Sequence, residues 1–332
     1  MKFLKAVLQV FVQIAIVAVV AIIVSSYVIK LHEEQCANNQ GSSGHLVVKP
    51  IEIPSQITFM GERVPVENFD TRESLDRELQ VNMFWHSQTI MLLKRANRYF
   101  PEIEPILKEN NVPDDLKYIA LIESGLMNVT SPSGAKGFWQ FLEGTAKECL
   151  LEVNNEVDER YNVAKATQAA IRYFKKQNDR FGSWTMAAAS YNMGGNGLAK
   201  QVARQKCNNY YDLTLGEETE RYVFRALAIK MIFENPTQFG FNIPTEFLYE
   251  PIPCRIVEVD STISNIADFA FSQGTNYKML KVLNPWLRDN KLTNRKGKTY
   301  QIKIIDSAYR NVVIDTLPVA DSTAQPIDAE LK

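Results

Sequence analysis

The chain has 332 residues, with 37 Lys and Arg against 38 Asp and Glu and a formal net charge of -1. That length holds two modest domains with a real hydrophobic core, and no basic stripe interleaved with aromatics is visible, so nucleic acid is not the implied partner. The three histidines, His32, His45 and His86, are scattered, and so are the four cysteines, so no metal-ligand spacing is present.

In chain order, residues 1–5 form a short N-terminus, and Ala6 to Val28 is a run of 23 residues without a charged side chain. As a helix it would be about 34 Å long, slightly more than a bilayer's hydrocarbon core. Lys2 and Lys5 precede the run, and His32, Glu33 and Glu34 follow it soon after. The positive-inside rule then keeps the N-terminus in the cytoplasm and exports everything after Lys30. A transmembrane anchor is the favoured reading; a cleaved signal peptide is the alternative, although no small-x-small site closes the run. Cys36 follows Glu34-Gln35 rather than the small residues that precede a lipidated cysteine. Export leaves Cys149, Cys207 and Cys254 available for pairing, and buried free thiols account for them equally well.

Residues 29–70 read as a flexible tether, Asn38 to Gly44, followed by proline-containing extended chain. Residues 71–241 are predicted to be mainly helical. Arg72 to Tyr99 carries the spacing of one long amphipathic helix, broken at Pro101. A second helix is expected to start at Asp114-Asp115 by cap chemistry and to end at Glu123, with Gly125 as its C-cap. Further helices are predicted over Val163–Phe181, Ser183–Asn192 and Glu218–Asn235, with Gly194-Gly195 and Pro236 stopping the last two. Residues 252–306 read as strand (from Ile256), helix (from Ile263), helix (Tyr277–Leu283) and strand (Tyr300–Ile305), a small α+β module. Residues 318–332 are polar with prolines and read as disordered.

The candidate chemistry centres on Glu123. Leu116, Ile119, Ala120 and Glu123 stand at i, i+3, i+4 and i+7, which puts a carboxyl on the apolar stripe of a helix. A carboxyl withdrawn from water keeps its proton to higher pH, and a protonated acid is what glycosidic cleavage needs. Three further segments look built around a cleft. Ser131 to Phe141 combines close-approach glycines, Gln140 as an amide partner, and Phe138 and Trp139, whose flat faces suit sugar rings and equally suit anchoring the loop in the core. Ala187 to Gly197 presents Tyr191 and Asn192 at a glycine-opened helix end, where Tyr191 can bond a carboxyl or a sugar hydroxyl. Glu218 to Val223 puts the phenol of Tyr222 on an apolar face, where a buried carboxyl would partner it.

These four segments, in this order and spacing, resemble the motifs of the lytic transglycosylases with a soluble-lytic-transglycosylase domain, and within them the membrane-bound murein transglycosylase D group. Val157 to Asn162 with Ala166-Thr167 resembles the stretch between that group's second and third motifs. The likeness runs from about Asp70 to Phe241. Where relatives carry Met-Pro after Gln-Phe, this chain has Leu142-Glu143, and Glu143 reads as a solvated helix-start carboxylate. The segment from Val259 to Ile304, with Leu283-Asn284-Pro285, resembles a lysin-motif module, with Asp260-Ser261-Thr262 replacing the usual glycine.

The resemblance implies a lysozyme-like, goose-type helical catalytic domain followed by an N-acetylglucosamine-binding module. It implies peptidoglycan glycan strands as substrate, with the β-1,4 bond between N-acetylmuramic acid and N-acetylglucosamine as target. Glu123 would act as acid and then as base, assisted by the substrate's acetamido group, to give a 1,6-anhydromuramic product. Ser131, Gln140, Tyr191 and Asn192 would bind substrate, Tyr222 would hold Glu123, and neither metal nor cofactor is needed. With the anchor, the catalytic domain is expected on the periplasmic side of the bacterial inner membrane. A lysozyme-type hydrolase of the same bond and a degenerate wall-binding scaffold are the alternatives.

Overall fold

The computed structural model describes Lys30 and residues 51–310. The predicted membrane anchor, the first part of the tether and the C-terminal tail lie outside the described residues. The chain divides into two compact units at Pro50/Ile51, and all that follows concerns the second. Among the described residues no helix is long and apolar enough to cross a membrane.

The proline-containing segment before the helices lies against them as a small hairpin. Strand β1 (Ile57–Phe59) pairs antiparallel with β2 (Glu62–Val64). The two residues between them, Met60 and Gly61, both take positive φ, as a two-residue hairpin turn demands. Phe59, Met60, Val64 and Val66 are buried in the helical core. The Glu62 carboxylate accepts hydrogen bonds from Ser183 Oγ (2.8 Å), Trp184 N (2.6 Å) and Thr185 N (3.1 Å), at the start of a later helix. An anion there satisfies orphan N–H groups and favours the helix dipole.

Two helices stand where one was expected. Helix α1 (Phe69–Phe84) and α2 (His86–Glu109) are separated at Trp85. Pro101, expected to end the helix, lies inside α2, and so does Pro105. Each proline removes a ladder bond, but the buried stripe Ala96, Phe100, Ile103 and Leu107 runs unbroken across both. Burial of that stripe holds the helix through the defects.

Helix α3 (Leu116–Ser124) ends as predicted, with Gly125 left-handed at φ 59° and its N–H bonded to Leu121 O at 2.8 Å. Asp115 does not cap it through its side chain. Its carboxylate accepts from Met60 N (2.7 Å) and pairs with Lys230 (3.1 Å), so it ties the hairpin turn to a distant helix instead. Then come α4 (Glu143–Glu148), α5 (Val163–Phe181), α6 (Trp184–Met193), α7 (Gly195–Gln205) and α8 (Glu217–Glu234). Asn162 and Ser183 cap α5 and α6 through their side chains. Gly194-Gly195 stops α6, yet Gly195 already opens α7, a helix the glycine pair had masked in the sequence.

Helix α6 is the central one. Thr185 through Ser190 are all buried, which requires the small side chains of Ala187-Ala188-Ala189. It packs against α5, α7 and α8; α1 lies along α8, and α3 packs on α2 and α8.

The C-terminal module has the predicted order. Strand β3 (Cys254–Val259) pairs antiparallel with β4 (Tyr300–Ile305), from Cys254↔Ile305 to Val259↔Tyr300. Helices α9 (Ile266–Ser272) and α10 (Tyr277–Leu283) lie between them. The first begins at Ile266 rather than Ile263. Asn265 caps it, and Ile263 exchanges backbone hydrogen bonds with Leu292 at 2.9 Å. Asn284, fully buried, donates to Leu280 O (2.9 Å) and Lys303 O (2.7 Å) and accepts from Lys303 N (2.8 Å). It staples the end of α10 to β4.

The module is seated on the segment between α4 and α5. Val157 and Tyr161 belong to the module's own core, beside Trp286 and Leu287. Asp158 N bonds Trp286 O (2.9 Å) and Arg288 N bonds Glu156 O (2.8 Å). Lys298 pairs with Glu152 (2.5 Å) and Glu159 (3.1 Å), and Lys303 with Glu102 (2.6 Å).

Candidate active site

Helix α3 carries Glu123 on its final turn, and α8 carries Tyr222 on its second. The Tyr222 hydroxyl donates to Glu123 Oε1 at 2.5 Å. Burial pushes the Glu123 carboxyl up from an ordinary 4.5 to about 7. The Tyr222 hydrogen bond and the Arg225 charge oppose that rise, and Glu218 adds to it. Tyr222 is itself buried, and burial beside Glu123 raises its phenol well above the usual range, so it remains a donor. A carboxyl that titrates near neutrality beside a fixed donor can give up a proton and take one back.

The other residues predicted for the site stand in different relations to this pair. Tyr191 is half-buried, its ring stacked on Phe174 at 4.9 Å between centroids. Its hydroxyl donates to Trp139 O at 2.5 Å, where the sequence had suggested a carboxyl or a sugar hydroxyl as partner. The Glu123 charge contributes to the rise of the Tyr191 phenol. Asn192 accepts from Thr219 Oγ1 (2.7 Å) and donates to Glu218 Oε1 (3.4 Å), joining the end of α6 to the start of α8.

Gln140 holds a left-handed backbone, φ 47°. Its amide nitrogen donates to Gly137 O (2.7 Å) and Val129 O (3.2 Å) and folds the loop on itself. Ser131 accepts from Ala135 N (3.0 Å) and lies 2.9 Å from Ser133 Oγ. These contacts stay within its loop, and none reaches Glu123.

Phe138 and Trp139 are not sugar platforms. Both are buried, Trp139 with its indole N–H on Thr167 Oγ1 at 3.0 Å and Phe138 edge-on to Tyr99 at 4.7 Å. The aromatic pair in the sequence is the loop's anchor in the core. Glu143 starts α4 as expected, exposed and paired with Lys147 at 2.6 Å, which holds its carboxyl below the usual range.

Several supports were not legible beforehand. Ser124 Oγ donates to Phe138 O at 2.8 Å and ties the loop to the residue after Glu123. Arg95 donates to Gly125 O at 2.7 Å and secures the C-terminus of α3. Arg160, paired with Asp158 through two bonds of 2.8 and 2.7 Å, donates to Phe141 O at 3.3 Å. Gly137 must be glycine: at φ 78° a Cβ would lie 1.9 Å from Arg160 O. Among the described residues no three His, Cys, Asp or Glu side chains gather so as to hold a metal ion.

Residues 100–213 match the family described as the transglycosylase SLT domain, and residues 255–308 match the soluble lytic transglycosylase C-terminal LysM-like domain. The chain carries both domains. It is 27% identical over 243 residues to membrane-bound lytic murein transglycosylase D of Escherichia coli strain K12, covering 70% of this chain and 52% of that protein. The same figures hold for the protein of that name in E. coli O6:H1. A putative tributyltin chloride resistance protein of Alteromonas sp. strain M-1 is 29% identical over 120 residues, 36% of this chain and 58% of its own length. The chain thus spans about half the length of the curated relatives it matches. Glu123, Ser131, Gln140, Tyr191 and Asn192 fall inside the SLT match. Tyr222 falls beyond its end, and its hydrogen bond to Glu123 joins it to the rest.

Proposed function

We propose that this chain is a peptidoglycan lytic transglycosylase with Glu123 as its acid and base. The observation that carries the reading is the half-buried Glu123 carboxyl, raised to about 7 and held by Tyr222 from a separate helix, within a chain that carries an SLT domain.

Glu123, protonated, donates to the glycosidic oxygen between N-acetylmuramic acid and N-acetylglucosamine as the bond to C1 breaks. The acetamido oxygen of the muramic residue stabilises the positive charge that develops there. The C6 hydroxyl oxygen then attacks C1, and its proton passes to the Glu123 carboxylate, which restores the acid and leaves a 1,6-anhydro ring. One carboxyl serves both steps, unlike the two flanking acids of most glycosidases. Tyr222 keeps its hydrogen bond throughout, stronger to the ionised form. Tyr191 acts through the Trp139 carbonyl, Asn192 keeps α6 and α8 in register, and Ser131 and Gln140 present the loop to the sugar.

The LysM-like domain, fixed to the same unit, would add a grip on N-acetylglucosamine-containing strands. That substrate puts the catalytic unit in the bacterial envelope, outside the cytoplasm, with Ala6 to Val28 as its membrane anchor.

The test is digestion of purified sacculi with mass spectrometry of the released muropeptides. Wild type yields ends one water lighter than reducing ends, and Glu123→Gln binds sacculi but releases about a thousandfold less. Reducing ends would instead identify a hydrolase, and binding without release by wild type would identify a wall-binding scaffold.

A further inference from the structure

Glu218, Tyr222 and Arg225 stand at i, i+4 and i+7 on one face of α8, so an acid, a phenol and a cation line up along the edge of the site. The Arg225 guanidinium carbon lies 5.7 Å from the centre of the Tyr222 ring, and that ring's hydroxyl holds Glu123. Nη2 of Arg225 is 3.9 Å from Glu218 Oε1, too long for a hydrogen bond, and Glu218 is largely exposed. Nε of Arg225 is buried and has no hydrogen-bond partner. The neighbouring Arg221 is held differently, tight against the buried Glu78 carboxylate at 2.6 Å. Arg225 is thus two-thirds buried with its charge only loosely matched, beside the phenol that grips the candidate acid. An incompletely paired cation in such a place needs a compensating negative charge nearby.

We propose that Arg225 is a positioning residue for the reaction assigned to Glu123: its charge, placed against Tyr222, stabilises the carboxylate that Glu123 becomes between its two proton transfers. The inference rests on the proposed function for its role in turnover, but not for the electrostatic coupling itself. Burial keeps Glu123 protonated for the first transfer. Arg225 limits that bias, so that losing the proton is not prohibitively uphill. Glu218 works against it, by repelling the same carboxylate and by screening Arg225. The titratable and charged groups that face Glu123 are Tyr222, Arg225 and Glu218 from α8 and Tyr191 from α6. Arg225 also faces Tyr210, whose hydroxyl donates to backbone carbonyls of α8 and remains neutral.

The test titrates Glu123 in the full chain by carbon-13 NMR of labelled glutamate carboxyls, assigned by difference from Glu123→Gln, and needs no activity. Arg225→Met is expected to move the Glu123 midpoint up by about half a unit to one unit. Arg225→Lys keeps the charge and leaves the midpoint near wild type. Glu218→Gln moves it the opposite way, downward. In turnover of sacculi, the high-pH limb moves with each midpoint. A midpoint that does not move in Arg225→Met, or that moves equally in Arg225→Lys, overturns the proposal. Should Arg225→Met fail to fold, Arg225→Gln carries the same test: an upward shift supports the proposal and an unmoved midpoint overturns it. Absence of muropeptide release by wild type would overturn the proposed function and leave the titration result intact.

Discussion

Glu123 and Glu156 carry the same side chain, and the fold drives their carboxyls in opposite directions. Glu123 sits on the apolar stripe of α3 with a single phenolic donor, and burial lifts it to about 7. Glu156 lies in the seat of the LysM-like domain, where Thr293 donates both its backbone N–H (2.6 Å) and its hydroxyl (3.0 Å), with Lys291 at 3.6 Å. Those donors, the backbone one first, hold Glu156 below the usual range. The number and kind of donors set the difference: one neutral hydroxyl at a half-buried carboxyl leaves a group that holds its proton to higher pH, whereas several donors at a half-wet seam leave a fixed anion. The first arrangement suits chemistry and strains the fold, and the second suits attachment.

The sharpest way to separate the two is stability against pH. Glu123 imposes no cost below its ordinary 4.5, where folded and unfolded chains both hold the proton, and imposes its full cost above about 7. Replacing it by Gln is therefore expected to stabilise the chain at pH 8 by up to about 3 kcal/mol and to do nothing at pH 4, as read from urea midpoints. Glu156 has the opposite sign. Its contribution is present above the unfolded pKa and disappears as pH falls through its lowered folded value. A Glu123→Gln midpoint that tracked wild type at every pH would remove the contrast.

The next largest effect concerns the phenol. Tyr222→Phe takes away the hydrogen bond that lowers the Glu123 pKa, so the high-pH limb of turnover should move upward and maximal turnover fall roughly tenfold. A limb that moved downward would mean that the hydroxyl stabilises the protonated form instead. The smallest effect is at the seam. Lys298, with 41% of its side chain exposed, spans Glu152 and Glu159, and Lys298→Met is expected to lower stability by about 1 kcal/mol while leaving turnover unchanged. A change in turnover there would show that the seam and the site are coupled.

Much of the site was legible because its signals are local. The i, i+3, i+4, i+7 spacing marked Glu123, Gly125 marked the end of α3, and the helix predicted over Val163–Phe181 is α5. What was not legible depends on partners far along the chain. Nothing near Trp85 announces a break, and nothing near Pro101 says that Phe100 and Ile103 will be buried deeply enough to carry a helix across it. Trp139 reads equally well as a platform or as an anchor until Thr167, on another helix, takes its N–H. Tyr191 had several possible acceptors in the sequence, and only the folded loop selects the Trp139 carbonyl. The bond from Tyr222 to Glu123 crosses 99 positions, and it was the resemblance to the family's motifs, not periodicity, that had paired the two.

The two residues that helix-flanking segment lends to the neighbouring domain, Val157 at 1% exposure and Tyr161 at 5%, alter what a boundary means in this protein. Tyr161 also bonds Thr130 at 3.0 Å, in the loop that Gly137 presses against the Arg160 carbonyl. Excising everything after Phe241 would uncover an apolar pair directly behind that loop. For shuffling, truncation or transplantation, the natural unit of inheritance is the whole of Ile51 onward, and the LysM-like domain is part of the scaffold rather than a detachable accessory.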